Sequence, residues 1–209
     1  MPTEKVPFDG RVVAIQPRIR LLRSFDERSH SYLGFALRVD GRIGEDVRIF
    51  SVGIGSGAQA KHTFRAGDTI RGMCVAVANP KLETVEFYRA SALKVEERGM
   101  ADTSSSPPWL GVPPELPVYR ERGHRRLSAR RYRAKCTRCI WGCLMAVEMT
   151  IDHWNPQEKQ YRTETFCYGP VSCPDYKPGP RRKVPGRKGM VHTEPDWIDE
   201  DAVSDRQEE

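Results

Sequence analysis

The sequence predicts a mainly β protein, and three observations lead to this fold class. Apolar and polar residues alternate along residues 8–97, which is the pattern of half-buried strands, and no helical periodicity competes with it. Glycine, proline and asparagine turn signals separate the alternating runs. Five of the six cysteines fall between Cys136 and Cys173, in a second region with strand-like alternation. We therefore expect a β domain that holds most of the core, followed by a small Cys-rich module.

The first region contains five predicted strands. The first covers residues 8–15 and 19–22 and bends at Pro17, and the second covers residues 31–39. The other elements are three strands at residues 46–53, 67–77 and 84–95, a hairpin turn at Asp40-Gly41, and one or two helical turns within residues 58–64. Together these elements account for most of residues 8–97.

Five strands with a connector between the third and the fourth resemble an OB-fold. The Gly-Asp-x-Ile-x-Gly sequence that opens the fourth strand at Gly67 adds to this resemblance, which covers residues 8–97. It implies a small barrel whose second and third strands, with two loops, hold single-stranded nucleic acid or another ligand. The loops would be residues 24–30 and 78–83, and the face candidates are Tyr32, Arg38, Arg48 and Phe50.

The same side chains have a structural interpretation. Phe50 would then be a core residue, while Arg38 and Arg48 would only keep their strands soluble. The first loop also carries Asp26 and Glu27, which would repel phosphate groups. A barrel that docks onto a protein partner is therefore the alternative.

A change in composition marks the domain boundary. Serine, proline and glycine dominate residues 99–117, which is typical of an extended linker. The expected organisation is an OB-fold-like barrel at residues 1–98, the linker at 99–117, a basic arm at 118–135, the Cys-rich module at 136–176, and a basic and then acidic tail at 177–209.

The cysteine spacing predicts a metal site. Cys136 and Cys139 are separated by two residues and can chelate one ion through a tight turn, and Cys167 and Cys173 form a second pair. Strand-like runs at residues 144–151 and 161–166, with a turn at Asn155-Pro156, complete a pattern that resembles a zinc ribbon over residues 135–176. The second pair departs from the zinc-ribbon pattern because five residues separate its members. Zn²⁺ is the expected cofactor.

A fifth thiol leaves the ligand set open. Either Cys136, Cys139, Cys167 and Cys173 bind the metal, or Cys143 replaces one of them. Three closely spaced cysteines with a distant fourth can also hold an iron-sulfur cluster, which is the alternative cofactor.

Basic segments flank the Cys-rich module on both sides. The formal net charge is +6, although residues 194–209 contain eight acidic residues and one basic residue. Extended basic segments are suited to lie along phosphate groups, and the acidic tail could compete for the same surface. The residues expected to contact phosphate here are Arg125, Arg126, Arg130, Arg131, Arg133, Arg181, Arg182, Lys183, Arg187 and Lys188.

Several classes of protein are disfavoured. No apolar run has the length of a signal peptide or of a membrane span, so we expect a cytoplasmic protein that does not contact a membrane. No arrangement of Ser, His and Asp, and no phosphate-binding loop, supports catalysis, so an enzyme is not expected.

These features favour a noncatalytic nucleic-acid-binding protein, with RNA or single-stranded DNA as its partner and a ribonucleoprotein assembly as its setting. The alternative is an iron-sulfur or cysteine redox protein in which the barrel binds a partner or ligand. A third class, lipid- or acyl-thioester-handling proteins, joins a zinc ribbon to an OB-fold in the opposite order.

Overall fold

The computed structural model describes residues 4–100 and 106–195. The first part consists of strands β1 (Val6–Arg23), β2 (Arg28–Ile43), β3 (Asp46–Ile54), β4 (Thr69–Ala76) and β5 (Phe87–Glu97), with helix α1 (Ser56–His62) between β3 and β4 and a 3-10 turn (Pro80–Leu82) before β5. A mainly β fold is therefore confirmed.

These five strands are paired in a ring. β1 pairs in antiparallel fashion with both β2 and β4, β2 pairs with β3, and β4 pairs with β5. A single parallel contact, between Val52 and Phe87, joins β3 to β5. Each of the five strands thus has a hydrogen-bonded neighbour on both sides.

The second part continues the same sheet. Its elements are α2 (Leu116–Arg122), β6 (Arg125–Arg126), α3 (Ala129–Arg131), a π-helical turn (Tyr132–Cys136), β7 (Gly142–Asp152), β8 (Asn155–Cys167), β9 (Lys183–Pro185), a short turn (Arg187–Gly189) and β10 (Val191–Thr193). β7 and β8 form a hairpin, and β7 pairs in parallel with the end of β1 through Arg20–Arg23. The eight-stranded sheet has the order β2-β3-β5-β4-β1-β7-β8-β6, and β9 and β10 form a separate pair.

One hydrophobic core spans both parts of the chain. Leu21 and Phe35 of the first part and Met145 and Phe166 of the second are all buried within it. A smaller cluster contains Leu127, Tyr132, Cys136 and Cys167. The Cys-rich region therefore packs against β1 through apolar side chains as well as through the sheet.

The predicted turn at Asp40-Gly41 is wrong. β2 continues to Ile43, and the chain turns at Gly44, whose φ is +59°. A Cβ on Gly41 would lie 2.2 Å from the carbonyl oxygen of Asp9. Gly41 is therefore needed where β1 and β2 approach closely, and not for a turn.

Two further expectations need correction. The basic arm at residues 118–135 is not extended, because it folds into α2, β6, α3 and the π-helical turn. The tip of the second hairpin is His153-Trp154, two residues before the predicted Asn155-Pro156, since Asp152 pairs with Asn155. Of the tail, residues 196–209 lie outside the described residues. Within the described ranges, no helix has both the length and the hydrophobicity needed to span a bilayer.

Candidate functional site

Four cysteines lie near one another at the end of the β7–β8 hairpin, and we refer to Cys136, Cys139, Cys167 and Cys173 as the four-cysteine cluster. Gly142, just after the Cys136–Cys139 turn, pairs with Cys167 across the hairpin. Burial, followed by the charges of Cys167, Cys139 and Cys173, raises the pKa of Cys136 to about 12. Burial likewise raises the pKa of Cys139 to about 11, and Cys167 contributes to this increase. The four thiols are thus within electrostatic reach of one another.

Backbone amides are directed at three of these sulfurs. The Gly169 N–H donates a hydrogen bond to Cys167 Sγ at 3.4 Å. Backbone hydrogen bonds from Trp141 and Gly142 lower the pKa of Cys139, against the larger effect of burial. Backbone hydrogen bonds from Asp175 and Tyr176 act in the same direction on Cys173, whose pKa is raised overall by burial. Donors two and three positions after a cysteine stabilise its thiolate form, which is the form that binds metal.

The predicted metal-bound ribbon is not shown. In the described ranges, no three Cys, His, Asp or Glu side chains are grouped closely enough to hold a metal ion. All six cysteines are described, and all are free thiols. The cluster therefore has the donor chemistry of a zinc site without the coordination geometry, and Zn²⁺ stays a prediction.

Cys143 is placed apart from the four-cysteine cluster. Its side chain is completely buried in the main core, and its thiol donates a hydrogen bond to the Pro17 carbonyl oxygen at 3.4 Å. Burial raises the pKa of this thiol strongly. The arrangement keeps Cys143 as a neutral core residue, whereas the sequence left it open as an alternate ligand.

Gln16 of β1 fixes the Cys136–Cys139 turn against the sheet. Its Nε2 donates hydrogen bonds to the carbonyl oxygens of Cys136 and Cys139, both at 2.8 Å. The Tyr132 hydroxyl donates to Gln16 Oε1 at 2.6 Å. Sequence reasoning missed Gln16 because the predicted first strand was interrupted between residues 15 and 19, whereas β1 runs through Gln16 without a break. The single polar residue between Ala14-Ile15 and Pro17 was the signal that could have found it.

Next to this turn lies a groove that we call the basic groove. Two cavities of about 350 and 380 Å³ share Arg38, Ile49 and Thr137 as lining residues. Arg38 belongs to β2, whereas Thr137 and the neighbouring Arg138 belong to the turn between Cys136 and Cys139. The residues that give the groove its charge are Arg11, Arg38, Arg138, Asp40 and Glu86.

The predicted strand-face residues do not share one surface. Arg38 is exposed and lines the basic groove, and Arg48 pairs with Glu86 at 2.6 Å beside it. Tyr32 lies elsewhere, beneath the Arg120 guanidinium group at 4.9 Å, in a cavity next to α1. Phe50 is buried in the core. Only the surroundings of Arg38 and Arg48 therefore correspond to the expected binding face.

Some of the arginines in the first basic segment are buried inside the protein. Arg125 and Arg126 are only 6% and 7% exposed. Arg125 donates a hydrogen bond to the Pro170 carbonyl oxygen at 2.7 Å and stacks on Tyr176 at 3.8 Å. Arg131 pairs with Asp175 at 3.4 Å. Of the five predicted phosphate contacts in this segment, the two that are exposed are Arg130 and Arg133.

Two arginines of the second basic segment form salt bridges within the protein. Arg182 pairs with Glu164 at 3.2 Å, and Arg187 pairs with Asp152 at 3.3 Å. The predicted residues that remain exposed here besides Arg187 are Arg181, Lys183 and Lys188.

Comparisons with protein-family models, with curated proteins and with solved structures find no match.

Proposed function

We propose that the chain is a noncatalytic nucleic-acid-binding protein that favours RNA or single strands and binds them in the basic groove. The observation that carries this proposal is that Arg138 and Arg38 line the same cavity. One guanidinium comes from the second strand of the five-stranded ring and the other from the Cys136–Cys139 turn. Two cations from distant parts of the sequence thus line one cavity together with exposed Ile49. Cations that line a groove can neutralise the phosphates of a nucleic-acid backbone.

We also propose that the ring of β1 to β5 is an OB-like barrel. The pairings run β1-β2-β3-β5-β4 and return to β1, which is the strand order of that fold. In OB-folds the face of the second and third strands binds single strands. The basic groove lies on this side, because Arg38 of β2 and Ile49 of β3 line it.

Zn²⁺ is the cofactor that the four-cysteine cluster fits best in chemical terms. Its donors are thiols, and backbone amides directed at three of the sulfurs stabilise thiolates there. A bound zinc ion would neutralise the thiolates and make the Cys136–Cys139 turn rigid. That rigidity would hold Arg138 in the basic groove, which Arg38 also lines.

Elemental analysis of protein purified without chelator tests this cofactor. We expect about one zinc per chain, a colourless solution, and loss of zinc in Cys167→Ser but not in Cys143→Ser. A brown sample that contains iron would instead support the iron-sulfur alternative and contradict the zinc site.

The binding proposal is tested with a fluorescently labelled single-stranded RNA. We expect the logarithm of the affinity to fall linearly with the logarithm of the salt concentration. Arg38→Gln and Arg138→Gln should each weaken binding and reduce the salt slope by about one. Arg71→Gln is the matched control, because Arg71 is an exposed arginine on β4 that pairs with Glu96 and lies outside the groove. A flat salt response, or equal effects of all three substitutions, would contradict the proposal.

A further inference from the structure

A group of arginines and glutamates lies where the ends of β1 and β8 meet the C-terminal strands, and we call it the arginine network. Its members are Arg23, Arg28, Arg162, Arg182, Glu164 and Glu194. The side chains of Arg23 and Glu164 are each only 2% exposed. Among these six described residues, four arginines therefore share two carboxylates, and Arg23 and Glu164 are the most buried of the six.

Glu164 is paired with two arginines close to it. Arg162 contacts its Oε1 at 2.5 Å, and Arg182 contacts its Oε2 at 3.2 Å. Arg23 lies 3.8 Å away, too far for a good hydrogen bond. The pKa of Arg182 is lowered mainly by burial, and the charges of Arg162 and Arg23 act in the same direction, whereas Glu164 and Glu194 raise it.

Glu194 is therefore the close counterion of the other two arginines. Its Oε1 accepts hydrogen bonds from Arg23 Nη2 at 3.1 Å and from Arg28 Nη1 at 2.9 Å. The Glu194 side chain is 10% exposed. Two guanidinium groups that converge on one oxygen form a cradle that also fits a phosphate oxygen.

The surroundings of this cradle suit a nucleotide. A cavity of about 330 Å³ is lined by Arg23, Arg28, Phe25 and His192, and also by the acidic residues Asp26, Glu27 and Glu194. The Asp26 carboxylate is engaged by Ser24 and His153. Phe25 is 51% exposed, and the His192 ring lies 5.0 Å from it. An exposed aromatic ring beside two guanidinium groups offers stacking for a base and charge for its phosphate.

The carboxylate in the cradle comes from the acidic tail. Glu194 is the first of the eight acidic residues in residues 194–209. Its backbone N–H donates to the Arg182 carbonyl oxygen at 2.8 Å, directly after β10 ends at Thr193. The folded part of the tail thus delivers a negative side chain to the position that an external anion would take.

We propose that Arg23 and Arg28 form a phosphate-binding site, and that Glu194 occupies this site in the free protein as an intramolecular competitor. The phosphate site is inferred only from the way in which Arg23 and Arg28 converge on one oxygen atom. The further step, that the acidic tail competes with nucleic-acid phosphates and so regulates binding, rests on the proposed function.

Inorganic phosphate tests the site without any nucleic acid. In Glu194→Gln, the cradle loses its counterion, so the melting temperature should fall, and phosphate should restore it at constant ionic strength with chloride as reference. Asp9→Asn is the matched control, because it makes the same change in net charge at the half-exposed pair with Arg42. Glu194→Asp keeps the charge on a shorter side chain and should show an intermediate response. An equal response to phosphate and chloride in both Glu194 variants would overturn the site.

The labelled single-stranded RNA tests the regulation. Glu194→Gln should bind it at least about fivefold more tightly than Asp9→Asn does, and adding Arg28→Gln should remove the difference. Equal affinities of Glu194→Gln and Asp9→Asn would overturn the regulation while the proposed function stands. If no variant binds RNA at any salt concentration, the proposed function and the regulation both fail, whereas the response to phosphate still decides the site.

Discussion

At Gly142, the missing side chain allows two peptide segments to lie in contact. A Cβ there would lie 2.5 Å from the Cys136 carbonyl oxygen and 2.7 Å from Gln16 Nε2. Both atoms are held by the same hydrogen bond, so neither can move without breaking it. We expect Gly142→Ala to lower the free energy of unfolding by about 2 kcal/mol, measured by urea denaturation.

Gly57 provides the control for this substitution. It lies in α1, and no described atom comes within 4 Å of a Cβ placed there. Gly57→Ala should leave stability unchanged or raise it by up to about 1 kcal/mol, because alanine favours a helix more than glycine does. Equal losses in the two variants would contradict the contact assigned to Gly142.

His30 makes stability depend on pH. Burial, with smaller effects of Arg28 and Arg23, lowers its pKa to about 4, and the ring lies 4.7 Å from that of His124. An unfolded histidine has a pKa near 6.5, so between pH 6.5 and about 4 the unfolded chain binds the extra proton. The stability that neutral His30 contributes is therefore complete above pH 6.5 and is lost as the pH falls towards 4.

The size of this effect can be measured. One such group changes the free energy of unfolding by up to about 1.4 kcal/mol per pH unit. We expect His30→Gln to flatten the dependence of the urea midpoint on pH between 6.5 and 4. His153→Gln, at the exposed hairpin tip, is the control. An unchanged slope in His30→Gln would show that other groups cause the dependence.

At the scale of single elements, α2 is too short to be stable alone, since it spans only Leu116–Arg122. Tyr119 anchors it. The ring is fully buried between Phe35, Trp141 and Tyr168, and the hydroxyl donates to the Ile140 carbonyl oxygen at 2.8 Å.

Two substitutions separate the ring from the hydroxyl. Tyr119→Phe should cost about 1 kcal/mol in free energy of unfolding, because only the hydrogen bond is lost. Tyr119→Ala should cost about 3–5 kcal/mol and should increase proteolysis near α2, because a buried aromatic ring is removed. Equal costs in the two variants would mean that the ring does not anchor the helix.

The strands were more predictable than the segments between them. Alternation along β1 to β4 is local, so the sequence located these strands to within a few residues. The fold of the basic arm could not be predicted in the same way. Arg125 is buried because its guanidinium group donates hydrogen bonds to the carbonyl oxygens of Pro170 and Val171, about 45 positions later in the chain. In the local sequence, a run of charged residues whose partners are far along the chain looks the same as a run that is exposed to water.

For the whole molecule, the sharing of β1 predicts cooperative unfolding. β1 pairs with β2 and β4 of the first part of the chain and with β7 of the second part. The hydrophobic core also contains residues of both parts. We expect a single calorimetric transition whose calorimetric and van't Hoff enthalpies agree. Two resolved transitions would instead show that the five-stranded ring and the Cys-rich region unfold independently.

The candidate site shows the same limit of sequence reasoning. Cysteine spacing identified the four-cysteine cluster as a group but could not exclude Cys143, since only tertiary packing against Pro17 places that thiol in the core. Arg38 was predicted to face a ligand, whereas Arg138 became evident only because the Cys136–Cys139 turn lies against the same cavity. The arginine network depends on the pairing of distant strand ends and has no local pattern.

The parallel contact between β1 and β7 also bears on synthesis of the chain. Cys143 follows Pro17 by 126 positions, so the first strand leaves the ribosome long before the hairpin that covers its far end. During this interval, the end of β1 is an uncovered edge that can pair with another nascent chain. We therefore expect the β7–β8 hairpin to dock late in folding, after β1 has already paired with β2 and β4.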